Sequence, residues 1–252
     1  MKFLICNGSL TPDTESNTFT LCQMVQVAFQ KLGHECEVVT IRDLDYEGSI
    51  KDIDDGLRPV IGKMFDMDGV IFATPIWWGG HSCHIQAIIE RMDFIDEWSI
   101  VNKYKPMYGK VFGDIVSGSG DGFQHIHGNC YNFATMLGFT VPPSCNIESA
   151  AQGRNEILKD AETIGMVKTF VTNMSVWAEA LQNVGKQARH HLNENFADGK
   201  VKGKSRPGRV KRSGASCKGS VSSLRAKAKK AGGEKGKMYH WCANMKSGKK
   251  KK

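Results

Sequence analysis

Five short apolar or β-branched runs divide residues 2–141, and turn residues bound each of them. Runs of this length between turn residues are typical of buried strands. They predict strands at Lys2–Cys6, Glu37–Ile41, Gly69–Ala73, Lys110–Val116 and Phe139–Val141.

Between these runs, apolar residues recur at spacings of three and four, which predicts helices. In the first such segment Cys22, Val25 and Phe29 share one face, and Gly33 stands where a helix would end. A strand followed by a helix, five times over, predicts an α/β fold: a doubly wound five-stranded parallel sheet with helices on both faces. The predicted helices are Asn17–Gly33, Pro59–Phe65, Ser82–Phe94, His125–Leu137 and Ile157–Leu181.

The charge of the chain changes sign near its last quarter. From Lys186 onward there are 21 Lys and Arg residues and three acids, a net charge of +18, whereas the preceding residues carry −10. Lys200–Lys237 is rich in Gly, Ser, Lys and Arg and shows no periodic apolar positions. We therefore predict a domain at residues 1–182 and a basic tail at residues 183–252 that is disordered.

A polycationic tail attracts nucleic acid or another anionic surface without reading a sequence. Non-specific contact of this kind is one interpretation of the tail, and a solvated tail without a defined partner is the other. The tail has few aromatic residues, so sequence-specific recognition is not expected.

Cellular location and thiol state follow from what the chain lacks. No apolar run reaches the roughly 18 residues that a membrane span needs, and the first residues do not read as a signal peptide. We expect a cytoplasmic protein without a membrane span. The eight cysteines are scattered without a CxxC pair, and we interpret them as reduced thiols that mostly fill the core.

The loop after the first predicted strand, Asn7–Thr18, has the composition of a phosphate site. In an open doubly wound sheet, ligands bind beyond the carboxyl ends of the strands. Hydroxyls and backbone N–H groups at a helix N-terminus suit a phosphate, and the absence of a P-loop lysine or a GxGxxG motif favours a mononucleotide monophosphate. An ordinary helix cap at Ser16 and Asn17 explains the same residues equally well.

Two further loops follow predicted strands. Thr74–Gly80 contains two adjacent tryptophans beside two glycines, which suits a planar aromatic ligand. Tryptophans that cap the core or meet a second copy of the chain are the alternative. Ser117–Gly122 has three glycines in six residues, whose N–H groups suit the polar edge of a ring, although a flexible turn has the same composition.

With the helical segment Gln86–Asp93, the three loops resemble those of NAD(P)H-dependent FMN reductases, a family with a flavodoxin-like fold that includes quinone reductases of the multimeric flavodoxin type. The resemblance covers about residues 1–182. It implies an enzyme, a flavoprotein that holds FMN and transfers hydride from NAD(P)H to a flavin, a quinone or a similar small electron acceptor, and it implies a homodimer or homotetramer.

The resemblance also implies cofactor-binding residues. The FMN phosphate is assigned to Ser9, Ser16, Asn17 and Thr18. The ring is assigned to Pro75, Ile76, Trp77, Trp78 and Gly79. The wall opposite is assigned to Ser117, Gly118, Gly120, Asp121 and Gly122.

Two features depart from the family pattern. The first loop carries Asp13 and Glu15 and no basic residue, so phosphate binding would depend on neutral donors and the helix end. Arg42–Leu57 contains no cysteine, so we expect no iron–sulfur cluster. A flavodoxin-like electron carrier and an FMN-containing nucleic-acid-associated binding protein are the competing interpretations of the chain.

Histidines near the loops carry weaker signals. His81, Cys83 and His84 match no standard zinc spacing, so no metal site is predicted. His125 and His127 follow the third loop and are candidates for proton donation or quinone contact, although half-exposed residues at a helix start would have the same pattern. No catalytic side chain is assigned.

Overall fold

The computed structural model describes residues 1–48, 53–184, 187, 194–195, 200–201 and 209–248. The chain divides into two compact units, residues 1–192 and residues 193–252. The first unit contains five strands: β1 (Lys2–Asn7), β2 (Glu35–Thr40), β3 (Gly69–Pro75), β4 (Val111–Ser117) and β5 (Asn146–Ser149).

The helices of the first unit cover both faces of this sheet. Each of the four connections between these strands passes through at least one of them, as parallel pairing requires. They are α1 (Asn17–Lys31), α2 (Leu57–Met64), α3 (Cys83–Arg91), α4 (Asp93–Asn102), α5 (Phe123–Leu137), α6 (Arg154–Ile157) and α7 (Ala161–Ala180), with a 3-10 turn at Ile41–Asp43.

All five strands are parallel, in the order β2-β1-β3-β4-β5. This is the flavodoxin-like order, so the predicted fold class is confirmed. Alternate residues of each strand point to opposite faces. On β1, Leu4 and Cys6 join the core against α2, α3 and α5, whereas Phe3 and Ile5 join the core against α1 and α7.

The fifth strand lies later in the chain than predicted. Thr140 makes only an isolated bridge to Val111, and β5 forms at Asn146–Ser149 instead. Pro142 and Pro143 end the predicted run because they have no N–H to donate to a sheet. The true strand is polar, with only Ile147 and Ser149 buried, so its sequence does not resemble a core strand.

Helix boundaries differ most from the prediction at two places. The predicted helix Ser82–Phe94 ends at Arg91, and α4 follows it separately. The last long helix begins at Ala161 rather than at Ile157, because the Asp160 carboxylate accepts the Thr163 N–H at 2.8 Å and caps the helix there.

The described part of the second unit contains two short antiparallel strands, β6 (Glu194–Asn195) and β7 (Lys200–Val201), and three helices. These are α8 (Arg209–Arg212), α9 (Val221–Lys230) and α10 (Gly233–Gly248). Most other residues of the predicted disordered tail lie outside the described residues. For residues 209–248 the structure differs from that prediction, because α9 and α10 form a helical hairpin.

A small apolar cluster and one disulfide hold this hairpin. Leu224, Cys242 and Ala243 are buried together, and a disulfide joins Cys242 to Cys217. The apolar residues are too widely spaced to show a periodic pattern, and they form a cluster only after the two helices pair. The interpretation of all cysteines as reduced thiols is therefore wrong for this pair.

The other six cysteines are free thiols. Five of them are buried, as the sequence predicts for core residues, and Cys83 is exposed. Burial raises the pKa of Cys6 and of Cys36 to about 12, so these two thiols stay protonated at neutral pH. Within the described residues, no helix is both long enough and apolar enough to cross a membrane.

Candidate functional site

The three predicted loops meet at one edge of the sheet. They follow β1, β3 and β4, which are neighbours and parallel, so their carboxyl ends lie side by side. Gly8 N–H donates to the Ala73 carbonyl at 2.7 Å, and Ile76 N–H donates to the Ser117 carbonyl at 2.9 Å. The loops therefore form one continuous surface.

The first loop ends in a well-capped helix. Ser16 is the N-cap of α1: its hydroxyl accepts the Phe19 N–H at 3.0 Å and donates to the Ser9 hydroxyl at 2.7 Å. Both hydroxyls are buried and already bonded to each other. What the helix end offers to an anion is its first-turn N–H groups, those of Asn17 and Thr18, which have no acceptor within the helix.

Two polar side chains of α1 tie this loop to its neighbours. The Thr18 hydroxyl lies 2.6 Å from the Ser117 hydroxyl at the end of β4. The Asn17 amide donates to Gln152 Oε1 at 2.9 Å and accepts the Gly153 N–H at 2.9 Å. The Asn17 side chain thus holds the loop after β5, and only its backbone N–H is placed for a phosphate.

Arg42 brings a basic residue into contact with the first loop, which has none of its own. It lies in the 3-10 turn after β2, and its guanidinium donates to the Thr11 carbonyl and contacts Asp13 at 3.5 Å and Asp43 at 2.9 Å. Arg42 is not among the residues predicted from the sequence, because that prediction considered basic residues only within the first loop. Its position directly after β2, at the same edge of the sheet, was the available signal.

The tryptophan pair forms the tip of a tight turn. Trp77 and Gly80 exchange both backbone hydrogen bonds, at 2.8 and 2.9 Å, and Trp78 and Gly79 have φ of 50° and 77°. Two positive φ values define a type I′ turn, which disfavours a bulky first residue. Trp78 is fully exposed and Trp77 is about half exposed, so neither caps the core.

The third loop presses against the second. Gly118, Gly120 and Gly122 all have positive φ, and a Cβ on Gly122 would lie 2.9 Å from the Gly79 Cα. Gly118 N–H continues the sheet by donating to the Ser149 carbonyl at 3.0 Å. A Cβ on Gly120 would meet nothing within 4 Å, so the free space of this loop lies at Gly120 and the exposed Asp121.

A buried polar network lies behind the third loop. His127 Nδ1 is 2.7 Å from Asp114 Oδ2, and His127 Nε2 is 2.9 Å from Glu148 Oε1. The Tyr131 hydroxyl donates to Asp114 Oδ1 at 3.2 Å. His127 is therefore a bonded, buried residue rather than a half-exposed one, whereas His125 is exposed.

The network shifts the pKa values of its members. Burial raises the pKa of Asp114, and the hydrogen bonds from His127 and Tyr131 offset only part of that effect. Burial alone would lower the pKa of His127, but its bonds to Asp114 and Glu148 outweigh burial and raise that pKa. We assign the shared proton to the imidazole, which then donates to both carboxylates.

A second polar arrangement fixes the loop after β2. Arg91 and Asp55 form a bidentate ion pair at 2.8 and 2.9 Å, and Arg91 also donates to the Glu47 carbonyl at 2.7 Å. This holds Tyr46 against α3, where the Tyr46 hydroxyl lies 2.6 Å from His84 Nδ1. Burial lowers the pKa of His84, so at neutral pH this imidazole is uncharged.

These features fit a phosphate monoester joined to a planar ring. The first loop offers helix-end N–H groups and is contacted by Arg42. The second loop carries the exposed tryptophans, and the third is a glycine-rich loop with open space at Gly120. Across the described residues, no three His, Cys, Asp or Glu side chains converge as metal ligands.

Comparison with known proteins supports this interpretation. The chain is 29% identical over 157 residues to 8-demethyl-8-aminoriboflavin-5'-phosphate synthase of Streptomyces davaonensis, a match covering 57% of this chain and 61% of that protein. It is 28% identical over 127 residues to an iron-sulfur flavoprotein of Archaeoglobus fulgidus, covering 46% of this chain and 59% of that one. The matches thus span about three fifths of each of these curated relatives.

Solved structures show the same architecture. The crystal structure of RosB with a bound 8-demethyl-8-formylriboflavin-5'-phosphate intermediate superposes with a TM-score of 0.66 and 25% identity, over 78% of this chain and 89% of that one. A flavone reductase superposes with a TM-score of 0.58 and 18% identity, over 73% and 65% of the two chains; it supports the fold.

The match to a family model extends from β1 through the loop after β5, and so includes all three loops of the site. The model is that of NADPH-dependent FMN reductases, and it matches residues 1–152. The family supports FMN as the cofactor and NAD(P)H as the reductant. The chain belongs to the NADPH-dependent FMN reductase family.

Proposed function

We propose that the chain transfers hydride from NAD(P)H to a flavin, a quinone or a similar small acceptor by way of FMN bound at the three loops. The observation that supports this proposal is that the three loops are joined: the Thr18–Ser117 contact and the Ile76–Ser117 bond connect them at one edge of the sheet. A flavin monophosphate has a phosphate, a ring and a polar ring edge, and each loop suits one of them.

In this proposal the first loop binds the phosphate through backbone donors. The N–H groups of Asn17 and Thr18 and the α1 dipole stabilise the anion, and Arg42 offsets the negative charge of Asp13 in the same loop. The hydroxyls of Ser9 and Ser16 fix the loop shape through their mutual bond. This refines the sequence prediction, which assigned all four residues to the phosphate without separating backbone donors from side chains.

The second and third loops hold the ring. Pro75, Ile76 and Gly79 set the path of the turn, and Trp77 and Trp78 cover the ring surface. Bound FMN supplies hydride transfer at its ring, which no side chain of this site performs. The N–H groups near Gly120 and Asp121 are placed for the polar edge of the ring.

An assembly of identical chains is also proposed. Helix α4 exposes Trp98, Ile100 and Val101, and an apolar group of this kind favours burial against a second copy. We propose a homodimer or homotetramer in the cytoplasm, to be measured by light scattering on purified protein.

The experiment is an anaerobic titration of purified full-length protein, followed by absorbance. A flavin spectrum that NADPH or NADH bleaches, and that added quinone or free flavin restores, supports the proposal. A protein that holds FMN but is not reduced by either nucleotide would instead be a flavodoxin-like electron carrier. A colourless protein that FMN does not reconstitute would overturn the assignment of the site.

A further inference from the structure

The hairpin of the second unit concentrates positive charge on a folded surface. The hairpin, residues 221–248, contains seven Lys and Arg residues and one acid, Glu234, a net charge of +6. Four of the cations lie on α9, at Arg225, Lys227, Lys229 and Lys230. Because these residues lie on one helix, the spacing between their charged side chains is set by the helix geometry.

One face of α9 borders an open cavity of about 1010 Å³. Ser222, Arg225 and Lys229 follow one another at helical spacing along this face, and Lys246 reaches it from α10. The Lys246 ammonium donates to the Gly219 carbonyl at 2.7 Å, at the start of α9. Among the described residues that line the cavity there are three cations and two serine hydroxyls but no carboxylate, which is a donor set for phosphate oxygens.

An aromatic side chain borders a second cavity of the same hairpin. Trp241, His240, Lys237 and Asn244 line it, and its volume is about 540 Å³. Trp241 is about half exposed. An exposed indole beside a lysine and an amide offers a stacking surface and a hydrogen-bonding group to a nucleobase.

We propose that the α9–α10 hairpin binds single-stranded nucleic acid, with phosphates in the cavity of Arg225, Lys229 and Lys246 and a base stacked on Trp241. Single strands are favoured over a duplex because a base must present its face to the indole. This function is separate from the flavin chemistry of residues 1–152, and either can fail without the other.

The test measures fluorescence anisotropy of a labelled oligothymidine of about 20 nucleotides with the full-length protein. The Kd should rise steeply with salt. Arg225→Glu and Lys229→Glu should each weaken binding and lower the slope of log K against log salt by about 0.7, the value for one lost phosphate contact. Trp241→Ala should weaken single-strand binding at least about fivefold and leave any duplex binding unchanged.

Lys227→Glu is the matched control, since it makes the same charge change on the same helix outside the cavity lining. Arg225→Lys keeps the charge and should retain most of the binding. Circular dichroism shows whether each variant keeps its helices, and the mass of the intact protein shows whether the disulfide has formed.

Three results would overturn the proposal. If Lys227→Glu weakens oligonucleotide binding as much as Arg225→Glu does, then binding depends on the total charge of the hairpin and not on the cavity. Equal affinity for duplex and single strand, with no effect of Trp241→Ala, would remove the stacking step. Binding to vesicles that contain phosphatidylserine without binding to the oligonucleotide would assign the hairpin to a membrane surface.

Discussion

The hydroxyls of Thr18 and Ser117 lie 2.6 Å apart and join the first turn of α1 to the end of β4. Both residues are buried, so each hydroxyl depends on the other for its hydrogen bond. This contact links the proposed phosphate loop to the proposed ring loop.

We expect Ser117→Ala to lower the free energy of unfolding by about 1–3 kcal/mol, because it leaves the Thr18 hydroxyl buried without its partner. FMN affinity should fall as well, since the two loops lose a direct link. Denaturant unfolding and flavin fluorescence titration measure the two effects. The double variant Thr18→Val, Ser117→Ala should cost less than the sum of the two single variants, and strictly additive effects would show that the contact carries no coupling.

Trp78 should lower the stability of the folded protein and at the same time strengthen FMN binding. Its φ of 50° is strained for a bulky side chain, and its side chain is fully exposed. Trp78→Gly should therefore raise the free energy of unfolding of the flavin-free protein by up to about 1 kcal/mol, and weaken FMN binding or slow hydride transfer.

His81→Ala and Trp98→Ala are the controls for Trp78→Gly, the first beside the same turn and the second an exposed tryptophan on α4. Neither should change flavin affinity as strongly. If Trp78→Gly leaves both the affinity and the rate at the values of the controls, Trp78 does not contact the ring.

The Arg91–Asp55 pair should make stability depend on acid pH. Hydrogen bonds from Arg91 lower the pKa of Asp55 to about 2, below the unfolded value of roughly 3.9. The stabilisation is therefore complete above the unfolded pKa and is lost as the pH falls towards about 2, a change of roughly 2 kcal/mol. Unfolding free energies across acid pH measure it, and Asp55→Asn should remove this part of the pH dependence.

Asp55→Asn should be at least as damaging as Arg91→Met. The Arg91 side chain is 1% exposed and that of Asp55 is 11% exposed, so Asp55→Asn takes the partner carboxylate from the more deeply buried charge. Without Arg91, the Asp55 carboxylate still accepts the Glu47 and Leu57 N–H groups. The expected loss is about 3–5 kcal/mol. A loss as small as that of an exposed pair, below about 1 kcal/mol, would show that the loop after β2 is held by other contacts.

The His127 network should titrate above the usual range of histidine. Although burial opposes it, the bonds to Asp114 and Glu148 raise the pKa of His127. The stability from this pair is thus fully present below about pH 6.5 and is lost as the pH rises through the raised pKa. NMR titration of the imidazole, assigned with His127→Gln, measures it; Asp114→Asn should lower the value, and a wild-type pKa below the usual one would place the proton elsewhere.

The sheet and its ligand edge were predictable because they depend on local pattern. Four strands are apolar or β-branched runs, and parallel order brings the loops after β1, β3 and β4 to one edge of the sheet. The fifth strand was not predictable, since Asn146–Ser149 is polar and becomes a strand only by pairing with β4.

Contacts between distant residues account for the rest of what the sequence did not show. Asn17 looks like a phosphate ligand in the loop, yet its amide is occupied by residues 152–153. Arg42 follows β2, whereas the loop that it contacts follows β1. The apolar cluster of the α9–α10 hairpin has three buried residues, too few to give a periodic pattern in a lysine-rich segment.

The disulfide between Cys217 and Cys242 should decide whether the hairpin folds. A cluster this small buries little apolar area, whereas a crosslink across 25 residues stabilises a fold by about 3 kcal/mol. Reduction, or the double variant Cys217→Ser, Cys242→Ser, should abolish hydrogen-exchange protection in α9 and α10 and leave β1–β5 protected. Cys83→Ser, at an exposed free thiol, is the control. Because a reducing cytoplasm disfavours disulfides, the same experiment at cytoplasmic glutathione levels shows whether the folded hairpin persists there. Unchanged protection after reduction would mean that the apolar cluster alone keeps the hairpin folded.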